Sequence, residues 1–484
     1  MNKLSAEQRH FFQQIADMAF INPFSEQRKQ ADCRLLAIQP EKLTLEQRIQ
    51  QIQQRLSEQL TRLQPLDEFK VERYAGKLRR VMEFAWLFYQ FHEFQNPFFQ
   101  FIEQQQQAGD TPIALPFAKQ LLGRFAAAGF DQAASEKYIG LFYQLHRGFY
   151  FINSMVSGHS LAIIELRMHL WNNIFTFNPH WYLDYLCGRM EEFSTLLLGP
   201  TGCGKSLVAR AIGCSGFIPF DAKRLRFQES FTRSFQSINL AQFPSSLLEA
   251  ELFGHKKGAF TGAIENHDGL FARCSPYGAV FIDEIGDIDI PTQVKLLNVV
   301  QDRVFYPVGS HEKQRFAGRV ISATNRDIGQ LRQQGLFRDD LFYRLCSDVI
   351  EVPGLQQRLE QNPDEISHLI GGLLARVISE PDQRLVQRIE DRIRSTIPAG
   401  YHWPGNVREL EQCIRQICLT GTYRISPASP QTPTTAFQID REEVSARQLQ
   451  QRYCRYLYDK HGSYEAVARI SGLDRRTAKK YIQE

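Results

Sequence analysis

The segment Gly199-Pro200-Thr201-Gly202-Cys203-Gly204-Lys205-Ser206 constrains the fold of this chain most, because it separates two different hydrophobic patterns. Before it, Ser194-Thr195-Leu196-Leu197-Leu198 is a short apolar run of the kind that forms a buried strand. After it, Leu207-Val208-Ala209-Arg210-Ala211-Ile212 reads as a helix. A strand that turns through glycines into a helix is the setting that gives the G-x-x-x-x-G-K-S pattern its meaning as a phosphate loop. The glycines let backbone N–H groups point at phosphate oxygens, Lys205 adds charge at the outer phosphates, and Ser206 offers a hydroxyl to Mg²⁺. The expectation is an α/β core that binds a nucleotide along residues 199–206 and Leu207.

Two further strands end in polar groups suited to that site. Ala279-Val280-Phe281-Ile282 leads into Asp283 and Glu284. Asp283 fits the Mg²⁺ shell, and Glu284 is placed to polarise a water for attack on the γ-phosphate. Arg319-Val320-Ile321-Ser322-Ala323-Thr324 ends in Asn325, a group able to orient that water or sense the phosphate. Arg338 and Arg344 follow, and Arg408 falls in the first turn of a helix expected to begin at Asn406, with Glu409 completing its cap. Arginine is the usual donor to transition-state charge in phosphoryl transfer. As a set with the phosphate loop and the acidic pair, these residues fit an ATPase whose sites lie between subunits.

Between those blocks lies Gly258-Ala259-Phe260-Thr261-Gly262-Ala263, a poor core segment because its one large apolar side chain is bracketed by small residues. Glycine flanks permit backbone conformations closed to other residues, so the stretch reads as a flexible loop offering Phe260 to another molecule. The alternative is a tight hairpin whose Phe folds back into the core. The neighbouring phosphate loop and acidic pair favour the first.

At 484 residues the chain is too long for one compact core, and roughly one domain per 150 residues suggests about three. A net charge of +4 is mild, so any nucleic-acid contact must come from a local basic patch. Nine cysteines without a C-x-x-C pair argue for reduced thiols. No leader or long apolar run is visible, which implies a cytoplasmic protein. Residues 1–155 read as a helical module rich in Gln and Phe, joined by a helical connection at 156–193. Thr44 and Gln47 form a capping box ahead of Leu45, Ile49, Ile52, Leu56, Leu60 and Leu63 at helical spacing. A second helix carries Phe84, Phe88, Phe91 and Phe94 as a core face until Pro97 interrupts it, and residues 104–107 read as a solvated helix end or loop.

Taken together, the blocks from about Thr195 to about Tyr423 resemble the AAA+ ATPase domain of the bacterial enhancer-binding proteins, the activators of sigma-54 RNA polymerase. The matching segments are the phosphate loop, Glu251-Leu252-Phe253-Gly254-His255 leading into residues 258–263, Phe281-Ile282-Asp283-Glu284-Ile285-Gly286-Asp287, Phe337 to Leu345, and Trp403-Pro404-Gly405-Asn406-Val407-Arg408-Glu409-Leu410. The resemblance implies an AAA+ core over 194–355, a helical lid over 356–423, and a ring, usually a hexamer, holding ATP at each interface. It assigns Arg338 and Arg344 as trans-acting arginines, Arg408 as lid sensor, Asn325 as strand-end sensor and Asn239 as the restraint on the catalytic Glu284. Residues 258–263 would contact sigma-54 through Phe260 and drive the closed promoter complex open. Two departures are the long connection from Cys214 to Gln236 and the loose approach to the lid, Val352-Pro353-Gly354-Leu355-Gln356-Gln357-Arg358.

Residues 424–440, rich in Ser, Pro and Thr, read as a linker. Residues 441–484 read as three helices, Glu442 to Lys460, Tyr464 to Ile470, and a last one capped by Asp474 that carries Arg475, Arg476, Thr477, Lys479 and Lys480. That is the layout of a helix-turn-helix, and the family often ends in one of the Fis type that binds upstream DNA. The competing function is a DNA-binding regulator that senses ATP without working as a motor, for which Glu284 would be superfluous. The signal for the N-terminal module is open between a metabolite and a protein. Its expected role is repression, since activators of this kind need an off state.

Overall fold

A computed structural model of the chain describes residues 4–39, 43–378, 382–398, 400–425 and 446–483. They form two compact units, Met1–Thr422 and Tyr423–Glu484. The first is built on a parallel sheet of β1 (Thr195–Leu198), β2 (Phe235–Asn239), β3 (Ala279–Asp283), β4 (Arg319–Thr324) and β5 (Asp348–Glu351), in the spatial order β2-β3-β4-β1-β5. Strands β1, β3 and β4 are buried along almost their whole length, as a parallel sheet covered on both faces requires. The register sets Leu198 beside Thr324, and Asn239 beside Asp283. The carboxyl ends of four strands therefore meet at one edge, where open α/β sheets take their ligands.

Ahead of the sheet the chain is helical. The Thr44 capping box forms in both directions, Gln47 N to Thr44 Oγ1 at 3.3 Å and Thr44 N to Gln47 Oε1 at 3.0 Å, and helix Leu45–Leu63 buries Ile52, Leu56 and Leu60. The phenylalanine helix runs Gly76–Glu93 and breaks at Phe94, not at Pro97. Pro97 lies in the first turn of the next helix, Gln95–Ala108, where its missing N–H has no intrahelical acceptor to satisfy. Phe88 and Phe94 are core residues as expected, whereas Phe84 and Phe91 are half-buried and face a cavity. Gln105 also departs from expectation, being buried. Its amide donates to the carbonyls of Gly109 and Thr111 and accepts from Ile113 N, each at 3.0 Å, so it shapes the loop that follows.

The long connection after Cys214 has a physical explanation. It folds into a two-stranded ribbon, Phe220–Asp221 against Arg226–Phe227, whose side chains enter the core of the helical module. Tyr143 stacks on Phe227 with ring centres 3.9 Å apart. Arg147, fully buried, donates to the carbonyls of Cys214 (2.6 Å) and Gly216 (2.7 Å). Residue 155 thus marks a change of element inside one packed unit.

The second unit contains helices Ala446–His461, Tyr464–Ser471 and Arg475–Gln483 around Cys454, Leu457, Val467 and Ala478. Gly472 turns between the last two at φ 70°, and Asp474 caps the final helix by accepting from Arg476 N and Thr477 N, both at 3.0 Å. Residues 426–440 of the expected linker and 442–445 of the expected first helix lie outside the described residues. Among the described residues no helix is long and apolar enough to cross a membrane.

Because Phe227 is 2% exposed at the seam between module and sheet, Phe227→Ala should destabilise Met1–Thr422 by about 3–5 kcal/mol. Chemical denaturation followed by circular dichroism checks this, and a change below about 1 kcal/mol would contradict the shared core.

Candidate nucleotide cleft and surface loop

The turn after β1 is possible only with glycine at its bends. Gly199, Gly202 and Gly204 have φ of 154°, 79° and 108°, and a Cβ on Gly202 would collide with the Gly405 carbonyl of the lid. Lys205 starts helix Lys205–Gly213 and is buried, its Nζ donating to the carbonyls of Gly199 (2.8 Å) and Pro200 (3.3 Å). The ammonium is thus already aimed into the loop. Cys203 is packed beneath the turn, where burial pushes its thiol pKa up.

A cleft of about 420 Å³ opens over this turn, and Lys205, Ser206, Asn239, Asp283, Glu284 and Arg408 all line it. Burial pushes the Asp283 carboxyl above the ordinary carboxylate range, opposed by the charge of Lys205, the Glu284 N–H and the Ser206 hydroxyl. Glu284 takes a left-handed backbone, φ 58°, which costs a non-glycine residue about 1–3 kcal/mol. In that conformation its Oε2 faces the N–H of Asn325 at 3.4 Å. Asn325 in turn donates through Nδ2 to Thr201 Oγ1 at 2.7 Å, which links the end of β4 to the phosphate loop. Asn239 reaches the cleft too, with its Oδ1 turned back to accept from Ala241 N at 3.0 Å.

The lid helix Asn406–Thr420 brings Arg408 to the cleft from its first turn. Glu409 Oε2 accepts from Gly405 N at 2.8 Å, the cap expected from the sequence. Asn406 has a role that no sequence signal marked. Its amide donates to the Thr201 carbonyl (3.0 Å) and accepts from Leu355 N (2.8 Å), so one side chain joins the phosphate loop to the approach to the lid. Arg338 and Arg344 lie away from this cleft. Arg338 pairs with Asp340 at 2.6 Å, its N–H held by the buried Gln293 at 2.9 Å, while Arg344 is exposed. Gln293 was likewise invisible in the sequence, since an amide in the middle of a helix carries no motif.

The remaining wall comes from the end of the helical module, Ser154, Met155, Val156 and Ser157. These residues are clasped to the lid. Arg358 and Glu365 form a buried pair at 2.7 Å; Arg358 donates to the Ser157 carbonyl (2.6 Å), and Glu365 accepts from His159 N (2.7 Å) and Ser160 N (3.2 Å). Gly158, at φ 133°, fits only because it has no Cβ to strike the Glu365 carboxylate.

The Phe260 segment is a closed hairpin. Gly258 N donates to Ala263 O (2.8 Å) and Ala263 N to Phe260 O (3.0 Å), with Gly258 and Gly262 at φ 82° and 105°. Phe260 is half-buried and packs edge-on against His255 with ring centres 5.0 Å apart, whereas Ile264 beside it is 75% exposed. A second loop supports the hairpin, with Lys256 N donating to Val308 O (3.1 Å) and Val308 N to Gly254 O (2.8 Å). In the C-terminal unit Arg475, Arg476, Lys479 and Lys480 are exposed, with Arg475 paired to Glu465 at 2.7 Å, while the Thr477 hydroxyl donates to Asp474 within the cap.

A parallel sheet of this order, a phosphate loop after β1, an Asp-Glu pair at the end of β3 with β4 between them, and a helical lid bearing an arginine define a P-loop nucleotide-binding protein of the AAA+ class. Residues 188–351 match the sigma-54 interaction domain, and residues 360–428 match the AAA+ ATPase lid domain. The chain is 33% identical over 331 residues to the regulatory protein AtoC of Escherichia coli (strain K12), spanning 65% of this chain and 68% of that protein. It is 39% identical over 226 residues to the DNA-binding transcriptional regulator NtrC of Azospirillum brasilense, spanning 47% of this chain and 43% of that one. The chain belongs to the bacterial enhancer-binding proteins. It spans about half the length of most of the curated relatives it matches. Among solved structures, NtrX from Brucella abortus aligns with a TM-score of 0.40 and 21% identity over 75% of this chain and 79% of that chain.

Gly202→Ala places a methyl group against the Gly405 carbonyl at a positive φ, so it should weaken nucleotide affinity about tenfold or more. A titration with a fluorescent ADP analogue measures this, and wild-type affinity in the variant would contradict the close contact between loop and lid.

Proposed function

We propose that the chain hydrolyses ATP and is a sigma-54-dependent transcriptional activator that binds upstream DNA through residues 441–484. The convergence of Lys205, Ser206, Asp283, Glu284 and Arg408 on one cleft carries this proposal. The donor set fits a nucleotide with its cation. Backbone N–H groups of the glycine turn and the Lys205 ammonium suit phosphate oxygens, and Ser206 with Asp283 would hold Mg²⁺, which when bound neutralises phosphate charge. Lys205 would exchange its bond to the Gly199 carbonyl for a phosphate oxygen. Glu284 would orient the attacking water and take its proton, with Asn239 restraining it when γ-phosphate is absent. Asn325 would report the γ-phosphate to Thr201, and Arg408 would draw the lid onto the nucleotide. Arg338 and Arg344, outside their own cleft, would reach the cleft of the neighbouring subunit in a ring, which for this family is usually a hexamer.

Residues 258–263 would then be the output. Phe260 rests against His255, so the ATP cycle would lift the hairpin and present Phe260 to sigma-54, turning the closed promoter complex into an open one. Arg475, Arg476, Thr477, Lys479 and Lys480 would face DNA, Thr477 chiefly by holding the helix cap. Such an activator works beside DNA in the cytoplasm.

Two substitutions separate the parts. Glu284→Gln should keep nucleotide affinity and lower ATP turnover about 10²–10⁴-fold, measured by phosphate release. Unimpaired binding without turnover in the wild-type chain would make it an ATP sensor and not a motor. Phe260→Ala should keep turnover and lose isomerisation of sigma-54 polymerase on a premelted promoter; unchanged isomerisation would sink the proposed role of the hairpin.

A further inference from the structure

A second cavity, of about 490 Å³, opens inside the helical module between helices Gly76–Glu93, Gln132–Met155 and Leu161–Phe175. The size lies within the range of small-molecule sites, but apolar walls such as Phe84, Phe149 and Trp171 do not choose among apolar bodies. The choice is made by a cation in the wall, Arg28 of helix Glu26–Leu36.

Arg28 is 7% exposed, and its three nitrogens have different partners. Nε donates to Asp32 at 2.8 Å and Nη1 to the Met18 carbonyl at 3.3 Å. Nη2 donates to no group among the described residues and, unlike the sealed Nε of Arg48, keeps accessible surface. Asp32 cannot neutralise Arg28 alone, because Arg48 approaches its other oxygen at 3.7 Å. Two buried guanidinium groups therefore divide one fully buried carboxylate, which leaves a positive charge without a counter-charge inside the module. Glu46 also lines the cavity, but it is exposed and pairs with neither arginine among the described residues. The field of Arg28 reaches the cavity. His92, another wall residue, is held at a pKa of about 3, first by burial and next by the Arg28 charge, against the pull of the Gln95 amide.

An anion offsets both deficits. A carboxylate would accept from Nη2 in a charge-assisted hydrogen bond and supply the missing negative charge, while a neutral ligand supplies none and a cation is repelled. A second carboxylate on the same ligand would lie buried without a partner. Aromatic walls favour a flat body that can stack on them. We propose that this cavity binds a monocarboxylic acid with a flat apolar body, its carboxylate on Arg28 Nη2 and its body against the aromatic walls. Such binding does not require the nucleotide site.

Calorimetry on the full chain tests this with 2-naphthoate and 2-naphthamide, which share a shape and differ in charge. The acid should bind saturably, one to one, and about tenfold tighter than the amide. Arg28→Gln should bring the two to equal affinity by weakening the acid. Leu145→Trp, which fills the cavity from helix Gln132–Met155, should abolish binding of both. Absence of saturable 2-naphthoate binding, or equal affinity for acid and amide, overturns the site, and this comparison on the wild-type chain needs no variant to fold. A preference for the acid that survives Arg28→Gln, or naphthoate binding that survives Leu145→Trp, in a variant with the wild-type circular dichroism, places the acid on another surface and overturns it as well.

Discussion

Arg147 determines how this molecule is put together. A fully buried guanidinium normally requires a carboxylate, yet this one is held by the carbonyls of Cys214 and Gly216 and by the face of Tyr143, 4.3 Å from the ring centre. Those carbonyls follow helix Lys205–Gly213, so the charge fastens the longest helix of the N-terminal module to the end of the phosphate-loop helix. Gln144 reinforces the joint by donating to the Ser215 carbonyl at 3.0 Å. Removing Arg147 would leave those two carbonyls without their donors inside a dry seam, so the contact acts as a structural weld and not as an adjustable surface.

The lid is fastened on the opposite side by the Arg358–Glu365 pair around Gly158, and by Asn406 against Thr201. The nucleotide cleft therefore has walls from three parts of the chain: the sheet, the lid and the end of the module. A nucleotide drawing Arg408 inward would pull on residues 157–160 through Glu365 and hence on the module. The charge pair is almost without solvent exposure and retains three backbone partners, Ser157 O, His159 N and Ser160 N, which keeps it stiff enough to transmit such a displacement.

Motifs with obligatory backbone chemistry were legible from the sequence. The phosphate loop, the strands ending at Asp283 and Asn325, the Glu409 and Asp474 caps and the Thr44 box all depend on local residue types, and they occur where those types stand. What escaped depends on distant parts of the chain. Gln105, Gln293 and Asn406 look like ordinary polar residues until the backbone groups they satisfy are brought to them. The aromatic stripe at Phe84 and Phe91 has the spacing of a core face, but whether a face meets a neighbour or a cavity is decided by the opposing helix and not by periodicity. The Phe260 hairpin shows the same limit. Its glycines permit a turn, and only the contact with His255 shows that the ring rests against its own subunit.

The shared core restricts how the N-terminal module could repress. Undocking it would expose Phe220, Phe227 and Phe231, each 3% exposed or less, at roughly 2 kcal/mol per ring before any other contact is counted. A ligand at a hundred times its dissociation constant supplies only about 2.7 kcal/mol. Release of the module is therefore beyond the reach of an ordinary small-molecule signal, and deletion of residues 1–155 would report on a bared core more than on a lost inhibitor. A signal has to work with the module in place. The route with the least disruption is a small shift of helix Gln132–Met155, because Asn153 faces the apolar cavity while Ser154, its neighbour, faces the nucleotide cleft. Repression by this module would then be a bias on cleft geometry within one packed unit.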